Sequence, residues 1–139
     1  ELGLRCLLEP LQRVESNIVN DAAGLVRMLN DIPADTVDIV LDTVAMATAG
    51  DTVQDYLHLF KDRLTHVHLV DGTLAGHLVW GDGDLPLGSI VDALAVADYD
   101  GTLTFEPFGD GNYAFDPISA WVRNIAAISP HWIRSGAQT

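Results

Sequence analysis

Basic residues are scarce. Seven Lys and Arg stand against 20 Asp and Glu, a formal net charge of −13. Such a field repels nucleic acids and anionic lipid surfaces, so neither is expected as a partner. Cysteine is nearly absent. Cys6 stands alone, which excludes an internal disulfide framework and fits a reducing cytosol, so a cytoplasmic protein is expected. No apolar run approaches the ~20 residues that cross a bilayer, and no basic leader precedes the first apolar run. Interior linkers and low-complexity tracts are missing. So is a Gly-x-Ser-x-Gly elbow. Cys6 falls early in an expected strand, where a small core residue is expected, so nucleophilic catalysis has no good candidate.

The glycine-rich segment Trp80–Pro86 fits no familiar loop. It lacks the third glycine of a dinucleotide fingerprint and the Lys-Ser/Thr of a P-loop. As a calcium loop starting at Asp82 and Asp84, it would place Pro86 and Ala93 at later ligand positions. A mobile loop beside a site is expected instead, with Trp80 as an apolar wall against substrate. Asp-Gly pairs at Asp71, Asp82, Asp100 and Asp110 mark tight turns.

What is present suffices for a core. Of 139 residues, 48% are hydrophobic, and mean hydropathy is +0.20. One domain over residues 1–139 is expected. The chain starts at Glu1 rather than Met and enters at once on the apolar run Leu2–Leu8. A piece of a longer protein, or one shortened at its N-terminus, is the expectation.

A pattern of apolar run, loop and amphipathic stretch repeats along the chain. Runs at Leu4–Leu8, Val37–Leu41, Thr65–Val70 and Thr102–Phe105 read as strands. The stretches Asp21–Asn30, Thr52–Arg63 and Ser89–Ala97 read as helices, with Asn20 or Asp21 capping the first. Asp116-Pro117 starts a last helix that ends near Ile128, because Pro130 opposes its extension. The tail from Ser135 to Thr139 is expected to fray. Four βα units in series argue for parallel strands covered by helices. A doubly wound open sheet and half of a (β/α)8 barrel both use such units, and both place function at the C-terminal strand ends.

Those four ends carry Glu9, Asp42, His68 (with Asp71 just after) and Glu106. Three carboxylates and an imidazole suit Mn²⁺, Mg²⁺ or Co²⁺ better than a thiolate-seeking metal. Converging carboxylates repel one another unless a cation lies between them. His66 and His68 lie two apart on one strand and share a face. From spacing alone, one is a ligand candidate and the other a packed interior histidine.

In this order the residues resemble the C-terminal half of the xylose isomerase-like sugar isomerase/epimerase TIM barrels. Within them the chain is most similar to the D-tagatose and D-psicose (allulose) 3-epimerase type. The resemblance spans essentially the whole chain, as strands five to eight of the barrel. Glu9-Pro10-Leu11-Gln12-Arg13-Val14-Glu15 is similar to the segment whose first glutamate binds metal and whose glutamate six residues on contacts substrate. Leu41-Asp42-Thr43 resembles the metal-binding aspartate turn, and His66-Val67-His68 the strand whose second histidine is a ligand. Phe105-Glu106-Pro107 resembles the last-strand glutamate. The ligands stand at 9, 42, 68 and 106, spacings of 33, 26 and 38 residues that are close to the family's. Two positions depart. Ala45 stands where these epimerases carry a histidine, and Leu74 where they carry an arginine, both substrate contacts in the relatives.

The resemblance implies a divalent-metal-dependent ketose 3-epimerase, with proton transfer through a metal-stabilised enediolate. Mn²⁺ is the expected cofactor, with Mg²⁺ or Co²⁺ as alternatives. Glu9, Asp42, His68 and Glu106 would hold the metal. Glu9 and Glu106 would exchange protons on opposite faces of the sugar. Glu15, His66, His77 and Trp80 would contact substrate, with His77 standing in for the missing arginine. A sugar is the expected small-molecule partner. The half barrel is expected to pair with a missing N-terminal half or with a second copy, since four strands alone leave two unpaired edges. An aldose-ketose isomerase or a keto-inositol dehydratase of the same superfamily is the alternative enzyme. From another class, the alternative is a non-catalytic acidic α/β module with a vestigial metal site, which Ala45 and Leu74 favour.

Overall fold

The computed structural model describes residues 4–33, 36–73, 76–108 and 112–136, leaving Leu74, Asp110 and residues 137–139 outside. Four strands form one parallel sheet in the order β1 (Cys6–Leu8), β2 (Val37–Asp42), β3 (Leu64–His68) and β6 (Thr102–Thr104). Helices α1 (Ala22–Leu29), α3 (Val53–Phe60), α4 (Leu87–Val96) and α5 (Pro117–Gly136) follow the four strands in turn. The expected βα units and parallel sheet are therefore present, as part of a (β/α)8 barrel.

Alternation along the strands separates two faces. Ile39, Leu41, Val67 and Leu69 enter the core under the helices, with Leu8, Leu103 and Phe105 packed against it. Tyr56 and Phe60 of α3 meet edge to face there, with ring centroids 5.4 Å apart. The opposite, concave face carries Asp38, Asp42, His66 and His68, with Val40 among them. Register pairs Asp42 with His68, and His68 with Thr104. One layer down, His66 Nε2 and Thr104 Oγ1 are hydrogen-bonded at 3.0 Å. At the bottom, Arg5 pairs with the buried Asp38.

Local chemistry sets the element ends. Asp21 caps α1 by accepting from Gly24 N–H, and Thr52 and Asp55 form a reciprocal capping box on α3. A short helix and a hairpin are among the elements not expected. Helix α2 (Thr43–Ala49) starts directly on Asp42 and stops at Gly50, whose φ of +80° needs glycine. A hairpin of β4 (Asp71–Thr73) and β5 (Gly76–Leu78) follows β3. Strand β3 itself ends two residues before the expected Val70. Thr43 Oγ1 accepts from Val70 N–H at 2.9 Å, and it also lies within reach of the Val70 carbonyl. Both ladder groups of Val70 are thereby diverted to a side chain.

Three further expectations are corrected. Cys6 is exposed, because β1 is an edge strand, and it is not a core residue. Helix α5 passes through Pro130. The carbonyl of Ala126 loses its donor there, but Ala126 is exposed and water can replace it. Ser135 belongs to α5 rather than to a frayed tail, whose remaining residues lie outside the described ones. No helix among the described residues is long and apolar enough to cross a membrane.

Candidate metal centre

The four parallel strands deliver their C-terminal ends to one place. Glu9 follows β1, Asp42 ends β2, His68 ends β3, and Glu106 follows β6 by two residues. One ligand atom from each of these four lies within 4.8 Å of the others. The strand order puts Glu9 and Glu106 on the two outer strands, with Asp42 and His68 between them. His68 Nδ1 is 2.9 Å from Glu9 Oε1, 2.9 Å from Glu106 Oε2 and 3.9 Å from Asp42 Oδ2.

Distances and directions disagree in an informative way. His68 Nδ1 and Asp42 Oδ2 are buried, yet neither has a partner in hydrogen-bond geometry. They are close to opposite charges without being satisfied by them. A buried polar atom left so is costly. Three carboxylates and one imidazole nitrogen converging on such atoms fit a hard or borderline divalent cation.

Asp42 is held from below. Its Oδ1 accepts from Val44 N–H at 2.8 Å and Ala45 N–H at 2.7 Å, capping α2. This leaves Oδ2 as the oxygen free to act. Thr43, fully buried, ties the start of α2 to the chain just beyond His68 through Val70. Leu69 N–H donates to the Thr104 carbonyl at 2.7 Å, joining the ends of β3 and β6.

The electrostatics follow from crowding. The Glu9 carboxylate pushes His68 above its ordinary value, with Glu106 and Asp42 adding and burial opposing. Burial pushes Glu106 up, and the carboxylates of Glu9 and Asp42 reinforce it against His68. Burial lowers His66, and neighbouring His68 lowers it further. The two rings meet edge to face at 5.0 Å.

The other sequence-nominated residues divide. Glu15 is exposed on the turn after β1, its Oε2 accepting from Gln12 N–H at 3.0 Å, and its charge is felt at His77. His77, on β5, brings Nε2 to 3.2 Å from Asp42 Oδ2. Trp80 is corrected: it is not a wall against substrate. It is 5% exposed, its indole N–H donates to the Leu69 carbonyl at 3.0 Å, and it packs in the core. An aromatic residue in a glycine-rich loop resembled a surface wall because nothing in the sequence shows that the loop folds inward.

Sequence reasoning placed Asp71 at a strand end and in a turn but missed what its carboxylate holds. This buried carboxylate accepts from the N–H groups of Gly72, Gly81, Gly83 and Leu85. It gathers the whole Trp80–Pro86 segment around itself. The signal was present as an Asp-Gly pair, read there as a turn. Gly83 is obligatory, since a Cβ there would stand 2.5 Å from Asp71 Oδ1.

A family model described as xylose isomerase-like TIM barrel matches residues 1–135. Curated relatives include the fructoselysine 3-epimerase of Escherichia coli O157:H7, 30% identical over 76% of this chain and 39% of that protein. The D-psicose 3-epimerase of Enterocloster bolteae is 34% identical over 73% of this chain and 33% of that one. The 3-dehydro-D-guloside 4-epimerase of Escherichia coli K12 is 28% identical over 96% of this chain and 47% of that one. Among solved structures, an L-ribulose 3-epimerase superposes with a TM-score of 0.78 at 24% identity, covering 96% of this chain and 48% of that chain. The chain thus spans between a third and a half of the length of these relatives.

Proposed function

The chain belongs to the xylose isomerase-like TIM barrel family, and from that premise we propose that it is the C-terminal, metal-holding half of a ketose 3-epimerase. The sugar epimerases among its relatives support the reaction class. The observation that carries the reading is the convergence of Glu9, Asp42, His68 and Glu106, with buried atoms left unsatisfied between them.

These four would hold one divalent cation, Mn²⁺ on this reading. When bound, it supplies Lewis-acid stabilisation of the negative charge that develops as a proton leaves a carbon beside a carbonyl. The residues do the rest. Glu9 and Glu106 stand on the outer strands of the row and can address a sugar from opposite sides. One takes the proton and the other returns one, which inverts the carbon. Burial raises Glu106 above the ordinary carboxylate value, which favours its accepting a proton. Glu15, beyond the rim, and His66, one layer down, are the groups left to meet hydroxyls. Residues 1–139 act as one domain. Among the described residues, strands β1 and β6 each have one neighbour in the sheet. Four further strands, from a longer chain or a second copy, complete the barrel and the rest of the sugar site.

The test is deuterium incorporation from D₂O into a panel of ketohexoses, with Mn²⁺ present. Label at C3 is expected, and Glu106→Gln lowers turnover by about 10²-fold or more. Near-unaltered turnover in that variant removes Glu106 as an acid/base. The guloside 4-epimerase relative makes C4 the rival position, and label appearing there instead would move the reaction along the sugar.

A further inference from the structure

We infer that His77 is a positioning residue for Asp42, delivered by the β4–β5 hairpin to fix the orientation of the carboxylate oxygen that faces the cation. This rests on the cation reading above and assigns His77 to the carboxylate rather than to the sugar.

The geometry starts at Asp42. Its Oδ1 is committed to two backbone N–H groups, and its Oδ2 is buried without a hydrogen-bond partner. The nearby polar atoms at Oδ2 are His68 Nδ1 at 3.9 Å and His77 Nε2 at 3.2 Å. His77 Nε2 is in the same condition: buried, 3.2 Å from Asp42 Oδ2, and without a partner in hydrogen-bond geometry. The residue is 6% exposed, which leaves little of the imidazole for a sugar.

The ring is held from behind. Phe108 packs edge to face against it, with centroids 5.3 Å apart and planes at 85°. Phe108 N–H donates to the His77 carbonyl at 3.0 Å, which ties β5 to the segment just beyond Glu106. The hairpin in turn lies tight against α2, the helix that Asp42 caps. A Cβ at Gly72 would stand 2.4 Å from Val44 Cγ2 and 2.7 Å from the Gly76 carbonyl oxygen. Gly76, with φ of +130°, makes the turn that an L side chain resists. Asp71 anchors the base of the same hairpin through four backbone N–H groups. These contacts together serve the delivery of one imidazole to one carboxylate oxygen. Ala45 offers no side-chain donor to Asp42, so His77 alone among the described residues can supply one from a side chain at that distance.

A carboxylate oxygen has two lone pairs. With one directed to a cation and the other to an N–H, the ligand is held in orientation before the cation arrives. Removing such an outer partner weakens metal binding by about 10–100-fold in comparable sites. An N–H on Nε2 is all that the role requires.

The test is Mn²⁺ titration calorimetry of the protein and of His77→Ala, His77→Phe and His77→Gln, each checked for folding by circular dichroism. His77→Phe keeps a ring against Phe108 but has no donor. His77→Gln restores a donor. The expected result is a Kd about 10–100-fold weaker in the Ala and Phe variants, with much of the loss recovered in Gln. Folded Ala and Phe variants whose Kd stays within about twofold of the unaltered protein overturn the inference, while Asp42→Asn still abolishing binding leaves the cation reading intact. No saturable binding to the unaltered protein overturns both.

Discussion

At the scale of residues, the site rests on one proton. His68 Nδ1 faces three carboxylates, and Glu9 holds its pKa above the ordinary imidazole value. A raised folded value means that protonated His68 stabilises the cation-free fold. That contribution is complete at pH below the ordinary imidazole value and is lost as the pH climbs through the raised one. A cation must displace the same proton. Mn²⁺ affinity is therefore expected to fall by roughly tenfold per pH unit below the raised His68 value. Calorimetry in two buffers of different ionisation enthalpy should show about one proton released per cation there. Affinity independent of pH in that range contradicts a protonated His68. A second prediction concerns Asp71. Asp71→Asn replaces an acceptor of four N–H groups by an amide that presents its own N–H to some of them. A loss of about 2–4 kcal/mol in urea unfolding is expected. Less than about 0.5 kcal/mol would mean that the loop does not depend on it. The strand-end residues that converge were legible as candidates because each is a polar residue closing an apolar run. Asp71 and Trp80 were misread because, Gly72 apart, their partners are backbone groups ten or more residues away, which no local pattern displays.

At the scale of elements, short pieces position the long ones. The parallel strands and their helices were readable from period and caps, as in Val37–Asp42 and the Asp21-capped α1. Helix α2 was not, since its seven residues, Thr43 to Ala49, span too little chain for a helical period to show. The hairpin was hidden for a different reason. Its strands have three residues each, and their pairing is set by packing on α2 at Gly72 rather than by alternation. Helix α5 shows tertiary context overriding a breaker. Pro130 lies inside it, at the cost of one ladder hydrogen bond. Pro130→Ala is expected to raise unfolding stability by about 1–3 kcal/mol, read from the urea midpoint. A lowered midpoint would show that the fold needs the proline.

At the scale of the whole molecule, the chain is an open sheet whose concave face carries charge and whose convex face is sealed by helices. Leu7 on β1 remains 47% exposed, and Ile118, Trp121 and Val122 on α5 are exposed too. An acidic chain that gathers three carboxylates at one rim is working against its own net charge of −13. On the proposed reading, a divalent cation resolves that conflict at the four strand ends. Mn²⁺ titration calorimetry of the chain beside Glu106→Gln and Asp42→Asn tests it most directly. One saturable site is expected in the unaltered chain, lost or weakened at least about tenfold in both variants. Binding that is absent, or indifferent to both substitutions, would contradict it.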